Sequence, residues 1–262
     1  MCSDRFLPYL SALVLVCSCS VKEDRVECPC FLTLDWSAVD CWTLMEAGND
    51  SLDWMAVPEG GGELQAGSLA LESAGPYTEL SVPKDTVCVS VSCGGVAGPD
   101  GSVTVEDGHG FPRLFFHTSS VDATGAAARD TIHLHREHAE LFLYVRNVMM
   151  KGASYTVEGT VAGCDRYGRP VPGHFSANVD TDSRGFGSVV LPRQCDGSLR
   201  LNVSYAGDVV RSLAIGEYII QSGYDWTAGD LGDISMEIDY YQTKVTVRVE
   251  QWKKTLTFTI VF

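Results

Sequence analysis

The chain has 262 residues, 45% of them hydrophobic and 20% charged, enough apolar material for one large core or two of ordinary domain size. Nineteen Lys and Arg stand against 34 Asp and Glu, a formal charge of -15 that repels nucleic acid and anionic lipid surfaces and excludes nucleic-acid binding. No apolar run reaches the roughly 18 to 20 residues that cross a bilayer, which excludes a multi-spanning membrane protein and confines any membrane attachment to an end.

The N-terminal end has the form of a secretion signal. Phe6 to Val16 is mostly apolar, as long as a signal-peptide core and too short for a spanning helix. Val16-Cys17-Ser18-Cys19 follows at once. A bacterial lipoprotein signal needs a branched apolar residue three positions before the acylated cysteine and a small one directly before it. Cys19 meets both conditions through Val16 and Ser18, whereas Cys17 has Val16 directly before it. The expectation is a signal peptide over 1–18, lipid on Cys19 and a charged tether over 19–29, with acyl methylenes buried at about 0.8 kcal/mol each holding the body to the membrane. Asp4 and Arg5 cancel, so the usual positive surplus is missing, and a plain signal peptide with incidental cysteines is the competing reading.

With Cys2 and Cys17 in the signal and Cys19 acylated, seven of the ten cysteines remain: Cys28, Cys30, Cys41, Cys88, Cys93, Cys164 and Cys195. An odd number leaves at least one unpaired or pairing between chains. Cys28-Pro-Cys30 lacks the two-residue spacing of a zinc knuckle and a second pair to complete it. Cys88 and Cys93 are placed on an expected hairpin and Cys164 can pair with Cys195, but connectivity stays open.

From residue 30 onward the pattern is two-residue alternation broken by Gly, Pro, Asp and Asn turns. Phe31 to Trp36 opens the series, and Thr86 to Val91 places Val87, Val89 and Val91 on one face. Pro99-Asp100-Gly101 reads as a hairpin turn feeding Ser102 to Val105. A strand-like stretch from Thr131 to Val145 leads to further strands over Ser154–Val161, Gly187–Leu191 and Ser198–Tyr205. Only Thr43–Glu46 and Gly62–Leu71 leave room for a short turn or helix. The chain is therefore expected to be all-β, two β-sandwich domains in tandem over 30–132 and 133–262. The last forty residues form a meander. Its final strand, Thr255 to Phe262, sets Leu256, Phe258, Ile260 and Phe262 on one face. That strand either completes its own sheet or is lent to a neighbour's edge, with those four residues filling pockets.

Enzyme motifs are missing: there is no Gly-x-Ser-x-Gly elbow, no HExxH and no phosphate loop after a strand. No cofactor is expected. His133, His135 and His138 form a His-rich stretch that reads as a polar face at a domain junction in preference to a metal site, and Asp107-Gly108-His109-Gly110 reads as a loop. Trp36, Trp42, Trp54, Trp226 and Trp252 could supply a sugar-stacking platform, although in sandwiches large aromatics more often fill the core.

Several separated segments carry a family resemblance. Lys22-Glu23-Asp24-Arg25 with Cys28-Pro-Cys30 directly after a lipoprotein cysteine resembles the start of the anchoring subunits of Bacteroidales type V fimbriae. Phe116-His117-Thr118 and Leu134-His135-Arg136-Glu137-His138-Ala139 resemble their middle. Leu213 to Ile219, Asp225-Trp226, Leu231 to Ile234, Glu237 to Tyr240 and the Val245 to Phe262 hairpin resemble their end. The resemblance implies two transthyretin-like β-sandwiches and an outer-membrane lipoprotein, exposed on the surface, that holds a fimbrial shaft pilin, its partner, through strand exchange. Shaft members of that family are cut by an Arg-directed protease; Arg25 here lies next to the tether, where a cut would free the body from the membrane, so Arg25 is expected to stay intact. A surface adhesin or carbohydrate-binding lipoprotein is the alternative.

Overall fold

The structure is a computed structural model and describes residues 28–146, 152–239, 244–249 and 255–259. Cys19, Ile260, Phe262 and Trp252 lie outside the described residues. Strand dominates. The chain runs through β1 (Cys30–Asp35), α1 (Cys41–Glu46), β2 (Ser51–Pro58), β3 (Gln65–Ala70), β4 (Tyr77–Val82), β5 (Thr86–Cys93), β6 (Val103–Thr104), β7 (Phe115–Asp122) and β8 (Ala127–Thr131). It continues through β9 (His135–Arg136), β10 (His138–Arg146), β11 (Ser154–Cys164), β12 (Pro170–Val179), β13 (Phe186–Pro192), β14 (Arg200–Tyr205), β15 (Asp208–Leu213), α2 (Ile215–Gln221), β16 (Ile234–Asp239), β17 (Lys244–Val249) and β18 (Thr255–Thr259).

Alternation in the sequence becomes burial in the sheets. Val87, Val89 and Val91 of β5 are fully buried, as are Leu32 and Leu34 of β1 and Leu141 and Leu143 of β10. A three-stranded sheet, ordered β4-β1-β8, and a five-stranded sheet, β3-β2-β5-β7-β9, close around one hydrophobic core. A second core lies between β13-β10-β16-β17-β18 and the sheet β12-β11-β14-β15, to which β6 adds. The fold is an all-β sandwich architecture, as the alternation predicts. The second core takes in Val103, Phe111 and Leu114, which precede most of the strands around it.

Several local expectations are corrected. Gly62–Leu71 holds β3, with only a single 3-10 turn after it at Leu71–Ser73. The Pro99-Asp100-Gly101 turn forms, with Asp100 accepting from the Ser102 backbone at 3.0 Å, but the strand after it pairs with β11, not back in a hairpin. A Cβ at Gly163 would stand 1.9 Å from the Val103 carbonyl oxygen, so only glycine admits β6 there. Cys88 and Cys93 share one strand, β5, rather than the two arms of a hairpin, and none of the seven described cysteines is in a disulfide. Burial pushes the thiols of Cys93 and Cys164 up to about 12, which keeps them protonated and unreactive. The helix α2 has no counterpart in the predicted elements. It has seven residues, too few for a 3.6-residue period to show.

Candidate functional site

Four of the segments that carry the family resemblance meet in space: Phe116-His117-Thr118, Leu134–Ala139, Asp225-Trp226 and Leu231–Ile234. β9 and the residues after it form a junction between the two cores, and three basic side chains, Arg136, Arg193 and His138, hold it.

Arg136 belongs to β9, which pairs with Phe115 and Phe116 at the end of β7. Its backbone N–H donates to Asp230 Oδ1 at 2.8 Å, its Nη2 to Asp233 Oδ1, and its carbonyl accepts from Leu231 N–H at 3.1 Å. Asp233 also accepts from Glu140 N–H at 3.1 Å. A single Arg thus staples the sheet of the first core to the Leu231–Ile234 turn of the second. Arg193 makes a two-pronged pair with Glu137, Nε to Oε2 at 2.6 Å and Nη2 to Oε1 at 3.1 Å. Its remaining donors go to the carbonyls of Trp226, Ala228 at 2.7 Å and Gly229 at 3.2 Å. The Asp225-Trp226 loop is held in this way. Edge-on packing of Tyr224 against Trp226, with centroids 4.6 Å apart, and the Tyr224 hydroxyl on the Gly232 carbonyl at 2.7 Å complete it.

His138 is 2% exposed and lies at the centre of the junction. Its Nδ1 is 2.9 Å from the Leu114 carbonyl, which can only accept, so Nδ1 carries the proton. Its Nε2 then accepts from Arg136 Nε at 3.0 Å, and both ring nitrogens are satisfied in the neutral form. Burial pushes its pKa down to about 4, against the opposing pull of the Leu114 hydrogen bond. This histidine is a structural pivot. His135 is exposed beside Asp230 at 3.6 Å, and among the described residues no cluster of His, Cys, Asp and Glu is arranged to hold a metal ion.

A second His cluster tests for catalytic geometry. Asp130 Oδ2 accepts from both Ser119 Oγ at 2.5 Å and His117 Nε2 at 3.2 Å. Burial favours the neutral carboxyl, but the His117 and Ser119 hydrogen bonds outweigh it and hold Asp130 ionised. In a nucleophilic triad the histidine stands between serine and acid and removes the serine proton. Here the acid stands between the other two, an arrangement that ties β7 to β8 and leaves the serine unactivated.

The two terminal strands differ in setting. β1 is the first described strand and the central strand of its sheet, antiparallel to β4 and parallel to β8. Cys30, Leu32 and Leu34 are fully buried. On the opposite face Asp35, 4% exposed, accepts from Arg129 of β8 at 3.2 and 2.6 Å, and this guanidinium with the Ser37 backbone holds its carboxyl well below the usual carboxylate range. Among the described residues β18 ends its sheet's order and pairs with β17 alone, placing Leu256 opposite Val247 and Phe258 opposite Val245. Both partners in β17 are fully buried.

A cleft of about 530 Å³ opens on the outer face of the five-stranded sheet of the first half, lined by Asp53, Met55, Ser90, Ser92 and Phe116, with Ala97 to Gly101 over it. Ser90 and Ser92, which line it, are 6% and 5% exposed. Of the tryptophans, Trp36 and Trp226 are buried, Trp54 reaches the cleft, and Trp42 is exposed and donates to Glu46.

No protein-family model matches this sequence, and neither does any curated protein. Solved structures do match in shape. A proposed polysaccharide-binding protein from Bacteroides thetaiotaomicron superposes with a TM-score of 0.62 at 12% identity, over 90% of this chain and 99% of that one. The two share one fold. A proposed adhesin from Bacteroides ovatus gives a TM-score of 0.58 at 11% identity over 87% and 95% of the two chains. The fimbrial anchor protein Mfa2 from Porphyromonas gingivalis gives 0.51 at 10% over 86% and 98%. The fimbrial resemblance read from the sequence is therefore met at the level of fold.

Proposed function

We propose that this protein is a non-enzymatic, fimbria-associated surface lipoprotein that ties a fimbrial shaft to the outer membrane. The observation that carries the reading is the position of β1. A chain end that bears a membrane anchor must be rooted where it cannot be pulled free, and β1 enters the middle of a sheet within a few residues of the tether, with ladders on both sides. The shared fold with a fimbrial anchor supports it. Cys19 carries the lipid. A cut after Arg25 would sever body from lipid while leaving β1 in place, so cell-attached protein retains its sequence before Val26. β18 is the strand offered to the shaft pilin, since a strand held on one side only can exchange partners at lower cost than one held on both. Two variants test the reading. Cys19→Ser sheds filaments into the medium, and deletion of residues 255–262 sheds the shaft while the protein stays with the membrane. Filaments that stay attached in the first variant overturn the lipid anchor, and filaments that stay attached in the second overturn the joining strand.

The cleft favours a second reading, adhesion to a glycan. Two serine side chains, a carboxylate and the Phe116 ring, with no cation among the lining residues, suit a neutral, hydroxyl-rich ligand. Binding on an array of neutral oligosaccharides that is lost in Ser92→Val would establish it beside the anchoring role.

A further inference from the structure

We propose that β1 and β8 form a mechanical clamp, so that tension along the chain is carried in shear by a whole ladder of backbone hydrogen bonds at once. The source of the tension rests on the anchoring reading; the clamp itself rests on topology alone.

β1 is the first described strand, and β8 is the last strand of the three-stranded sheet, followed by the two-residue β9, which pairs with β7, before β10 begins. The two are parallel neighbours, in register from Phe31 opposite Ala127 to Asp35 opposite Thr131. A pull from the membrane enters at the Cys30 end of β1. The opposing pull from the second half passes the two-residue pairing of β9 with β7 and then enters at the Thr131 end of β8. For parallel strands these are opposite ends of the pair, so the load runs along the strand axis. Slipping β1 out then requires the ladder to break together, from Phe31 N–H on the Ala126 carbonyl at 3.1 Å to Ile132 N–H on the Asp35 carbonyl at 3.0 Å. The antiparallel ladder to β4, from Cys30 opposite Val82 to Asp35 opposite Tyr77, has to break in the same movement. Had the two load points been at the same end of the pair, the bonds would unzip in succession.

Side chains reinforce the same seam. Arg129 on β8 grips Asp35 on β1 with two donors, and Thr131 adds a hydroxyl at 3.4 Å, both across the loaded interface. On the core side Leu32 and Leu34 must leave a fully buried position before the strand can slide. In the second half β10, where the chain arrives, is again a parallel neighbour, to β16, in register from Leu141 opposite Ile234 to Arg146 opposite Asp239. Parallel pairing of the arriving strand therefore recurs.

Single-molecule force spectroscopy on the full mature chain tests the clamp in two pulling geometries. In the first, handles are placed on the N-terminus and the C-terminus. In the second, they are placed on the N-terminus and on Gly125, in the turn before β8, so that both pulls meet the same end of the pair. Opening of the first sandwich is identified by its length gain of about 35 nm, the reach of roughly 100 residues. The clamp predicts a rupture force at least twofold higher end to end than through Gly125 at equal loading rate. Arg129→Ala should lower the end-to-end force and leave the Gly125 force unchanged. Equal forces in the two geometries, or an Arg129→Ala effect of equal size in both, overturn the clamp. These outcomes do not depend on acylation. A clamp that holds while Cys19→Ser filaments stay on the cell would therefore defeat anchoring and leave the mechanics standing.

Discussion

The first and last described strands are built from the same kind of sequence, alternating apolar and polar residues, yet they end in opposite situations. β1 is paired on both sides and β18 on one. The difference lies in topology: β1 is reached by β4 after β2 and β3, and by β8 after β5, β6 and β7, so its partners come from distant sequence. Among the described residues β18 has only its meander neighbour. Alternation establishes that a strand has a core face; it does not say how many ladders the strand will join. An end held on both sides suits a permanent attachment, and an end held on one side suits an exchangeable one.

The sharpest way to break this contrast is to hollow the β1 side. Leu32→Ala removes a fully buried side chain from the middle of the three-stranded sheet and should cost about 3 to 4 kcal/mol, read as a lower urea midpoint. The matching control is Val209→Ala on β15, 60% exposed, which should move the midpoint by less than about 0.5 kcal/mol. If both substitutions act alike, the rooted strand is not the keystone of the first half.

Next in size is the coupling between the halves. Arg193→Ala leaves the Glu137 carboxylate and three backbone carbonyls without their donor in a partly buried setting. A loss of about 3 kcal/mol is expected from such an unpaired charge. The effect should fall on the second core, separating two calorimetric transitions where the intact junction gives a closer pair.

Much of this architecture is legible in the sequence. Alternation identifies β5, β10, β16 and β17, because strands half-buried in a sandwich must alternate. The resemblance segments Leu134–Ala139, Asp225-Trp226 and Leu231–Ile234 are separate pieces along the chain, and the structure brings them together as the junction. What does not show in the sequence is pairing at a distance. Nothing near Val103 announces that it adds to β11, and Gly163 looks like any turn glycine until a backbone lies 1.9 Å from its missing Cβ. The cleft is equally hidden. Ser90 and Ser92 read as the polar face of a half-exposed strand, and the overlying Ala97–Gly101 segment makes them the lining of a cleft.

The smallest expected effect is also the most diagnostic of the junction, because it depends on pH. In the fold His138 is neutral with a pKa of about 4, while in an unfolded chain a histidine titrates near 6.5. Above pH 6.5 both states are neutral and the contribution is fully present. As pH falls below 6.5 the unfolded chain takes up a proton that the folded one refuses, and stability declines until the folded value near 4 is passed. About 2 kcal/mol should be lost by pH 5. Protonating Nε2 would set a cation against the Arg136 guanidinium that now donates to it, with Asp233, already bound to Arg136, the nearest counter-charge. Urea midpoints at pH 7 and pH 5 for the native chain and for His138→Gln measure the difference between their slopes. The glutamine variant, without a titrating group, should lose about 2 kcal/mol less across that interval, whereas equal slopes would mean that His138 charges within the fold and that the junction admits water.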